Sequence, residues 1–328
     1  MNKILSIIVP SYNVEKYLEQ NLNSMCLSAA INDLEIIIVN DGSRDHTIDI
    51  ANKFKSNFSN SVVVIDKENG GHGSTINAGV AVATGKYFKV IDGDDWVDTN
   101  ELTKLIHKLK NTDVDLVLSP FKKVYEDIHK EEIISLEMSF NSQNSSFSNS
   151  IADIDDFYCL HSSTFKTELY RKRNLFIREH CFYVDMELIL YPIDYIRTYE
   201  YINHCVYQYR LGRPGQSVSM ISKIKNKDMH LNVIKDLIEN CLQKHSTRRE
   251  PLIQQYLEKK ICTLANIQYS IYLSMPPDTK TYKELKKFRD DFERTIPTDF
   301  LKGISKIMHY LPISYWLLGY RYRNRYLK

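Results

Sequence analysis

The chain has 328 residues, 43% of them hydrophobic and 26% charged, with a formal net charge of +2. That is an ordinary globular composition, longer than one core usually supports, and its near-neutral charge argues against a nucleic-acid binder. Cys26, Cys159, Cys181, Cys205, Cys241 and Cys262 lack C-x-x-C spacing in a chain too large to need disulfide staples, so they read as reduced cytosolic thiols.

The apolar run Leu5 to Val9 is too short for a signal peptide and stops at Pro10, which makes it a buried first strand. No uninterrupted apolar stretch approaches the roughly 20 residues needed to span a bilayer, so any membrane contact is expected to be peripheral. Val14 to Cys26 carries apolar residues at helical spacing, with Asn13 placed to cap it. Leu34 to Val39 repeats the strand pattern, followed by Asn40-Asp41-Gly42-Ser43 and a helix over Thr47 to Phe58. A third strand at Val62 to Ile65, a helix at Thr75 to Ala83 and a fourth strand at Tyr87 to Ile91 complete the series. Unbroken apolar strands alternating with helices predict an α/β fold with a mostly parallel sheet flanked by helices, and ligands then gather at the carboxyl ends of the strands.

Asp41 and the run Asp92-Gly93-Asp94-Asp95 each stand just past such an end. Three carboxylates there suit Mg²⁺ or Mn²⁺, which prefer oxygen ligands and need few from the protein when a substrate diphosphate supplies the rest. Asp-Gly-Asp also forms turns through side-chain to backbone hydrogen bonds, which is the plainer reading of the same residues. Asn69 to Gly79 joins a glycine loop to a helix start whose free N–H groups attract phosphate, and it is not a Walker loop because no Gly-Lys-Thr/Ser follows. Residues 139 to 150 are polar and of low complexity, and no site is placed there. From Lys223 to Phe300 the pattern is helical, broken at Pro276-Pro277. The tail from Leu301 to Lys328 is basic and aromatic without acidic residues. It reads equally as an interfacial segment on anionic lipid or as a terminal helix packed on the protein. The expected organisation is a nucleotide-binding, catalytic domain over 1–220 and a helical region over 221–328.

With Ser-Ile-Ile-Val-Pro-Ser-Tyr-Asn-Val-Glu at 6–15, Val-Asn-Asp-Gly-Ser-Arg-Asp at 39–45 and Asp-Gly-Asp-Asp-Trp at 92–96, in that order, the chain resembles family 2 glycosyltransferases of the Rossmann-like GT-A fold. The likeness is strong over the first 100 residues, weaker through Asp185 and Arg210 to Ser217, and not diagnostic beyond Ser219. It implies an inverting hexosyltransferase that moves a sugar from a nucleotide diphosphate sugar to an acceptor hydroxyl in bacterial cell-surface polysaccharide assembly. It further implies that Pro10, Tyr12, Asn13, Glu15 and Asp41 hold base and ribose, and that Asn77 lies near the donor. Asp94 and Asp95 would hold the metal, with Asp92 and Gly93 nearer the ribose or donor sugar. Arg210 and Arg213 would clamp the diphosphate in a bidentate fork. The general base of the family is an Asp in a Glu-Asp pair. Here Val184 replaces the Glu, Asp185 keeps the position, and Glu187 two residues on competes for the role. His72 is less typical and reads as a local cap, and His161 could line the acceptor side.

The implied partners are a nucleotide-sugar donor, with UDP preferred, and a glycan or lipid-linked saccharide acceptor. An anionic membrane surface could meet residues 301–328, no nucleic acid is expected, and a homo-oligomer is allowed. The expected location is cytoplasmic, peripheral on the inner face of the plasma membrane. Two other readings stay open. A nucleotidyltransferase would want a basic glycine loop where Pro-Ser-Tyr-Asn stands, and an inactive partner subunit would fit the loss of the Glu at 184.

Overall fold

The computed structural model describes residues 3–136, 145–155, 157–212, 219–244 and 249–295, and in the tail 301, 303, 306–307, 315–316 and 318–319. Arg213, the 214–217 loop, residues 139–144 and most of the tail lie outside these residues. The chain forms two units, Met1–Arg213 and Pro214–Lys328.

In the first unit, strands β1 (Leu5–Ser11) and β2 (Leu34–Asp41) are buried along their whole length, as apolar runs in a sheet covered on both faces must be. Between them α1 (Glu15–Cys26) buries Leu18, Leu22 and Met25 on one face. Each such fully buried aliphatic side chain contributes about 1.5–3 kcal/mol. Asn13 does not cap α1. Its backbone is left-handed (φ 52°), and its side-chain oxygen accepts from the Arg44 N–H at 2.8 Å, away from the helix start. Then follow α2 (Thr47–Asn57), β3 (Val62–Lys67), α3 (His72–Val82) and β4 (Tyr87–Val90). Helix α3 starts three residues earlier than its apolar spacing suggests, at a turn where Gly71 has φ 82°.

The remainder of the unit contains β5 (Trp96–Val97), α4 (Thr99–Leu109), β6 (Leu116–Leu118), β7 (Phe121–Tyr125), β8 (Lys130–Ile134), β9 (Ser145–Ser146), α5 (Phe147–Ser150), β10 (Ser163–Lys166), α6 (Thr167–Arg173), α7 (Asp185–Leu190), β11 (Thr198–Tyr201) and β12 (Tyr207–Leu211). The large sheet runs β3-β2-β1-β4-β10-β6-β11-β9. It is parallel across its first four strands, with β10 antiparallel to both of its neighbours. A second sheet, β5-β12-β7-β8, escapes a sequence reading because strands as short as β5 carry no usable periodicity.

The chain steps outward from β1 through β2 to β3, then returns across β1 to β4. The order reverses there, and the crevice beyond the ends of β1 and β4 is the switch point at which α/β sheets bind ligands. Gly93 permits the close approach: its N–H donates to Pro10 O at 3.0 Å, and a Cβ would sit 2.8 Å from the same oxygen.

The second unit contains α8 (Met220–Lys225), α9 (Lys227–Leu237) running into a π turn over Ile238–Gln243, α10 (Pro251–Ser274) and α11 (Thr279–Glu293). Asp278 restarts the chain after Pro276-Pro277 by accepting from the Thr281 N–H at 2.7 Å. In the tail, the Tyr315 hydroxyl donates to Pro276 O, and the Trp316 ring lies 6.0 Å from that of Tyr282. No helix among the described residues is long and apolar enough to cross a membrane.

Candidate active site

The acidic loop leaves β4 at the switch point. Asp92, Asp94 and Asp95 can each offer a carboxylate oxygen within 4.8 Å of the others. Asn21, buried on α1, fixes the loop backbone by donating to Asp92 O and Asp95 O at 3.0 and 2.9 Å, and the Asp95 N–H closes the turn on Asp92 O. Asp95 is 2% exposed and accepts from the Tyr207 hydroxyl (2.6 Å) and the Arg210 N–H (2.7 Å). Burial pushes its carboxyl well above the usual range, and the charge of Asp92 adds to this, against the opposing hydrogen bonds from Tyr207 and Arg210. A cation at the loop would reverse that balance. An all-oxygen donor set with two partly exposed members fits Mg²⁺ or Mn²⁺ held together with substrate oxygens.

Arg210 supports this loop from beneath and does not face an open site. It is 5% exposed, its Nε donates to Asp94 O at 2.7 Å and one terminal nitrogen to Gln20 Oε1 at 2.6 Å. The other pairs with Glu126, and the guanidinium lies 4.8 Å from the Tyr17 ring and 4.6 Å from the Trp96 ring. The expectation for Arg210 is a diphosphate clamp; in this structure its guanidinium supports the acidic loop. Three of its five N–H groups are used in these contacts, and the two rings enclose its faces.

Asp41 also makes structural contacts. Its buried carboxylate accepts from Gly70 N and Gly71 N at 2.8 Å each and from Lys67 Nζ at 2.9 Å, so it orders the glycine loop. Asn77, expected near the donor, takes both ends of its amide to the main chain of Ile177, donating to the carbonyl (2.8 Å) and accepting from the N–H (3.0 Å). At the rim, Tyr12 is 49% exposed and Asn13 is exposed beside it. Glu15 accepts from the His46 N–H at 2.9 Å, which ties the start of α1 to the 43–46 loop.

Asp185 is the first residue of α7, and its side chain is 54% exposed. Glu187 faces inward with no exposure and accepts from the Arg178 N–H at 2.7 Å, so its carboxylate anchors the segment that leads to Asp185. Val184, at the position of the missing Glu, is wholly buried. The residue that sequence reasoning undervalued is His72. Its Nε2 lies 3.0 Å from Asp92 Oδ1 and its Nδ1 3.4 Å from Asp185 Oδ1. Burial would lower its pKa, but the two flanking carboxylates, Asp92 foremost, outweigh it and raise the value to about 10. Glycines on both sides of His72 were the available signal. His161 stacks on Phe121 at 5.1 Å, meets Tyr207 edge-on at 4.8 Å and lies tilted against Tyr209 at 4.1 Å, and its carbonyl accepts from the buried Lys89 at 2.7 Å.

Residues 6–174 match the profile of the family described as Glycosyl transferase family 2. The uncharacterized glycosyltransferase EpsJ of Bacillus subtilis is 36% identical over 127 residues, 39% of this chain and 36% of that protein. The chain spans less than half the length of EpsJ and of the similarly placed relatives EpsH and GlyG. Among solved structures, S. aureus TarS residues 1–349 in complex with UDP-GlcNAc superposes with a TM-score of 0.70 at 18% identity, covering 99% of this chain and 91% of that one. The mannosyltransferase PcManGT of Pyrobaculum calidifontis, in complex with GDP-Man and Mn²⁺, gives 0.52 at 12% identity, covering 98% and 87%. At such identities these likenesses concern the fold.

Proposed function

The chain belongs to glycosyl transferase family 2, and from that premise we propose that it transfers a sugar, with inversion, from a UDP-sugar to a hydroxyl of a glycan or lipid-linked saccharide. The observation that carries this reading is the meeting, at the sheet's switch point, of a three-carboxylate loop with a partly exposed Asp185 one imidazole away. UDP is preferred because TarS, which shares the fold, binds UDP-GlcNAc.

Asp185 accepts the acceptor hydroxyl's proton as that oxygen attacks the anomeric carbon, and the bond electrons leave with the diphosphate. A base so placed contributes roughly 10²- to 10⁴-fold. Asp92, Asp94 and Asp95 would hold Mn²⁺ or Mg²⁺, which would supply Lewis-acid neutralisation of the departing diphosphate. Tyr207, Asn21 and Arg210 keep those carboxylates in place. Tyr12, exposed at the rim, offers a ring face to the base. The tail 301–328 meets anionic lipid: Trp316 and Ile307 are exposed, whereas Tyr315 is packed on the protein.

Thermal melts with UDP, with and without Mn²⁺, test the donor site, because a ligand that binds only the folded state raises its stability by mass action. The expected result is a UDP shift that requires the metal and disappears in Asp94→Ala. A metal-independent shift, or none, removes the reading. Deleting 301–328 should release the protein from anionic liposomes, and unchanged binding would refute the tail's role.

A further inference from the structure

His72 has no part in the chemistry proposed above, yet the surrounding chain is built around it. It opens α3 between Gly71, whose φ of 82° favours glycine, and Gly73, where a Cβ would lie 2.1 Å from Arg178 O. Those two glycines admit the main chain of 177–181 against the helix start. The His180 N–H donates to Gly70 O, and Asn77 grips Ile177 at both ends of its amide. The segment that ends at Asp185 is thereby fastened to the residues either side of His72. The imidazole then faces one carboxylate with each nitrogen, Asp92 at 3.0 Å and Asp185 at 3.4 Å. The Nε2 contact is within hydrogen-bond distance and the Nδ1 contact within ion-pair distance, so the two carboxylates together fix the plane of the ring. The ring is rigid and 24% exposed, whereas Asp185 projects from a six-residue helix and is 54% exposed.

We infer that His72 is a positioning residue: it bridges the acidic loop to Asp185 and so sets where the base stands relative to the donor's reacting carbon. The inference rests on the transferase reading. An error of about 1 Å in such a placement costs on the order of 10²-fold in rate, which is the scale a bridging ring can govern.

The test is a double-variant cycle on the full chain with a UDP-sugar, Mn²⁺ and an acceptor saccharide or water, alongside calorimetric UDP·Mn²⁺ binding. His72→Ala should lower kcat by roughly 10- to 100-fold while the UDP·Mn²⁺ Kd stays within about threefold. His72→Gln, which keeps the size and one donor, should fall between it and wild type. Adding His72→Ala to Asp185→Asn should cost almost nothing further, because the histidine acts through the aspartate. Losses that multiply in the double variant, a kcat within about twofold of wild type, or a loss that follows weakened UDP binding would each overturn the inference. So would an Asp185→Asn variant as fast as wild type. Wild-type protein that neither binds UDP nor turns over donor refutes the transferase reading itself, and the inference falls with it.

Discussion

The acidic loop and the segment carrying Asp185 are held in opposite ways. Residues 92–95 are fixed from every side by Asn21, Tyr207 and Arg210, with Gly93 seated on the end of β1. Residues 174–185 run outside both sheets, with three non-glycine residues in left-handed conformation (Asn174, His180 and Tyr183) and exposed Phe176 and Phe182. They are held by hydrogen bonds to α3 and its loop, by Glu187 on α7 through the Arg178 N–H, and by the buried side chains of Ile177, Cys181 and Val184. The contrast teaches that the proposed donor side is built on the sheet edge, while the base side is carried by an irregular segment outside both sheets. This is where a site can admit different acceptors without disturbing its nucleotide pocket.

The strongest attack on this comparison is Asp185→Asn, which should lower kcat by roughly 10²- to 10⁴-fold and leave UDP·Mn²⁺ affinity unchanged, as read by steady-state kinetics and calorimetry. Arg210→Ala strikes the other side. Removing a buried guanidinium that supports Asp94, Gln20 and Glu126 should cost about 2–3 kcal/mol in urea unfolding, with UDP·Mn²⁺ binding weakened in parallel. Gly73→Ala forces the 177–181 chain away from α3. It should cost about 1–3 kcal/mol of stability and lower kcat more than donor affinity. If it lowered both equally, the two regions would be less independent than their hydrogen bonds imply.

The smallest effect concerns Asp95. Its folded-state pKa is raised, so the folded chain holds that proton more tightly than the unfolded chain does. The resulting stability is full below the ordinary carboxylate pKa of about 4 and is lost as pH rises through the elevated value. Without metal, Asp95→Asn should therefore gain in Tm relative to wild type as pH rises above the ordinary carboxylate pKa of about 4, and stabilisation by Mn²⁺ should grow in the same direction. A Tm difference independent of pH would show that the loop tolerates the charge without a cation.

Much of the α/β half was legible in the sequence, because β1 and β2 are buried on both faces and read as unbroken apolar runs. The β5-β12-β7-β8 sheet was not, since short, half-buried strands leave no period to read. In the site, the acidic loop and Asp185 could be singled out from residue type and order. Arg210, Asp41 and Asn77 could not be told apart from ligand-facing residues, because an arginine, carboxylate or amide suits a phosphate, ribose or main chain equally well.

The sequence by itself determined the parallel sheet, the acidic turn at its edge and the family, since periodicity and motif order are local properties of the chain. Only the tertiary structure decided which polar side chains are consumed as supports and that one imidazole joins Asp92 to Asp185. Those facts depend on which distant main-chain N–H and carbonyl groups arrive beside each side chain, and segments far apart in sequence are brought together only when the core closes.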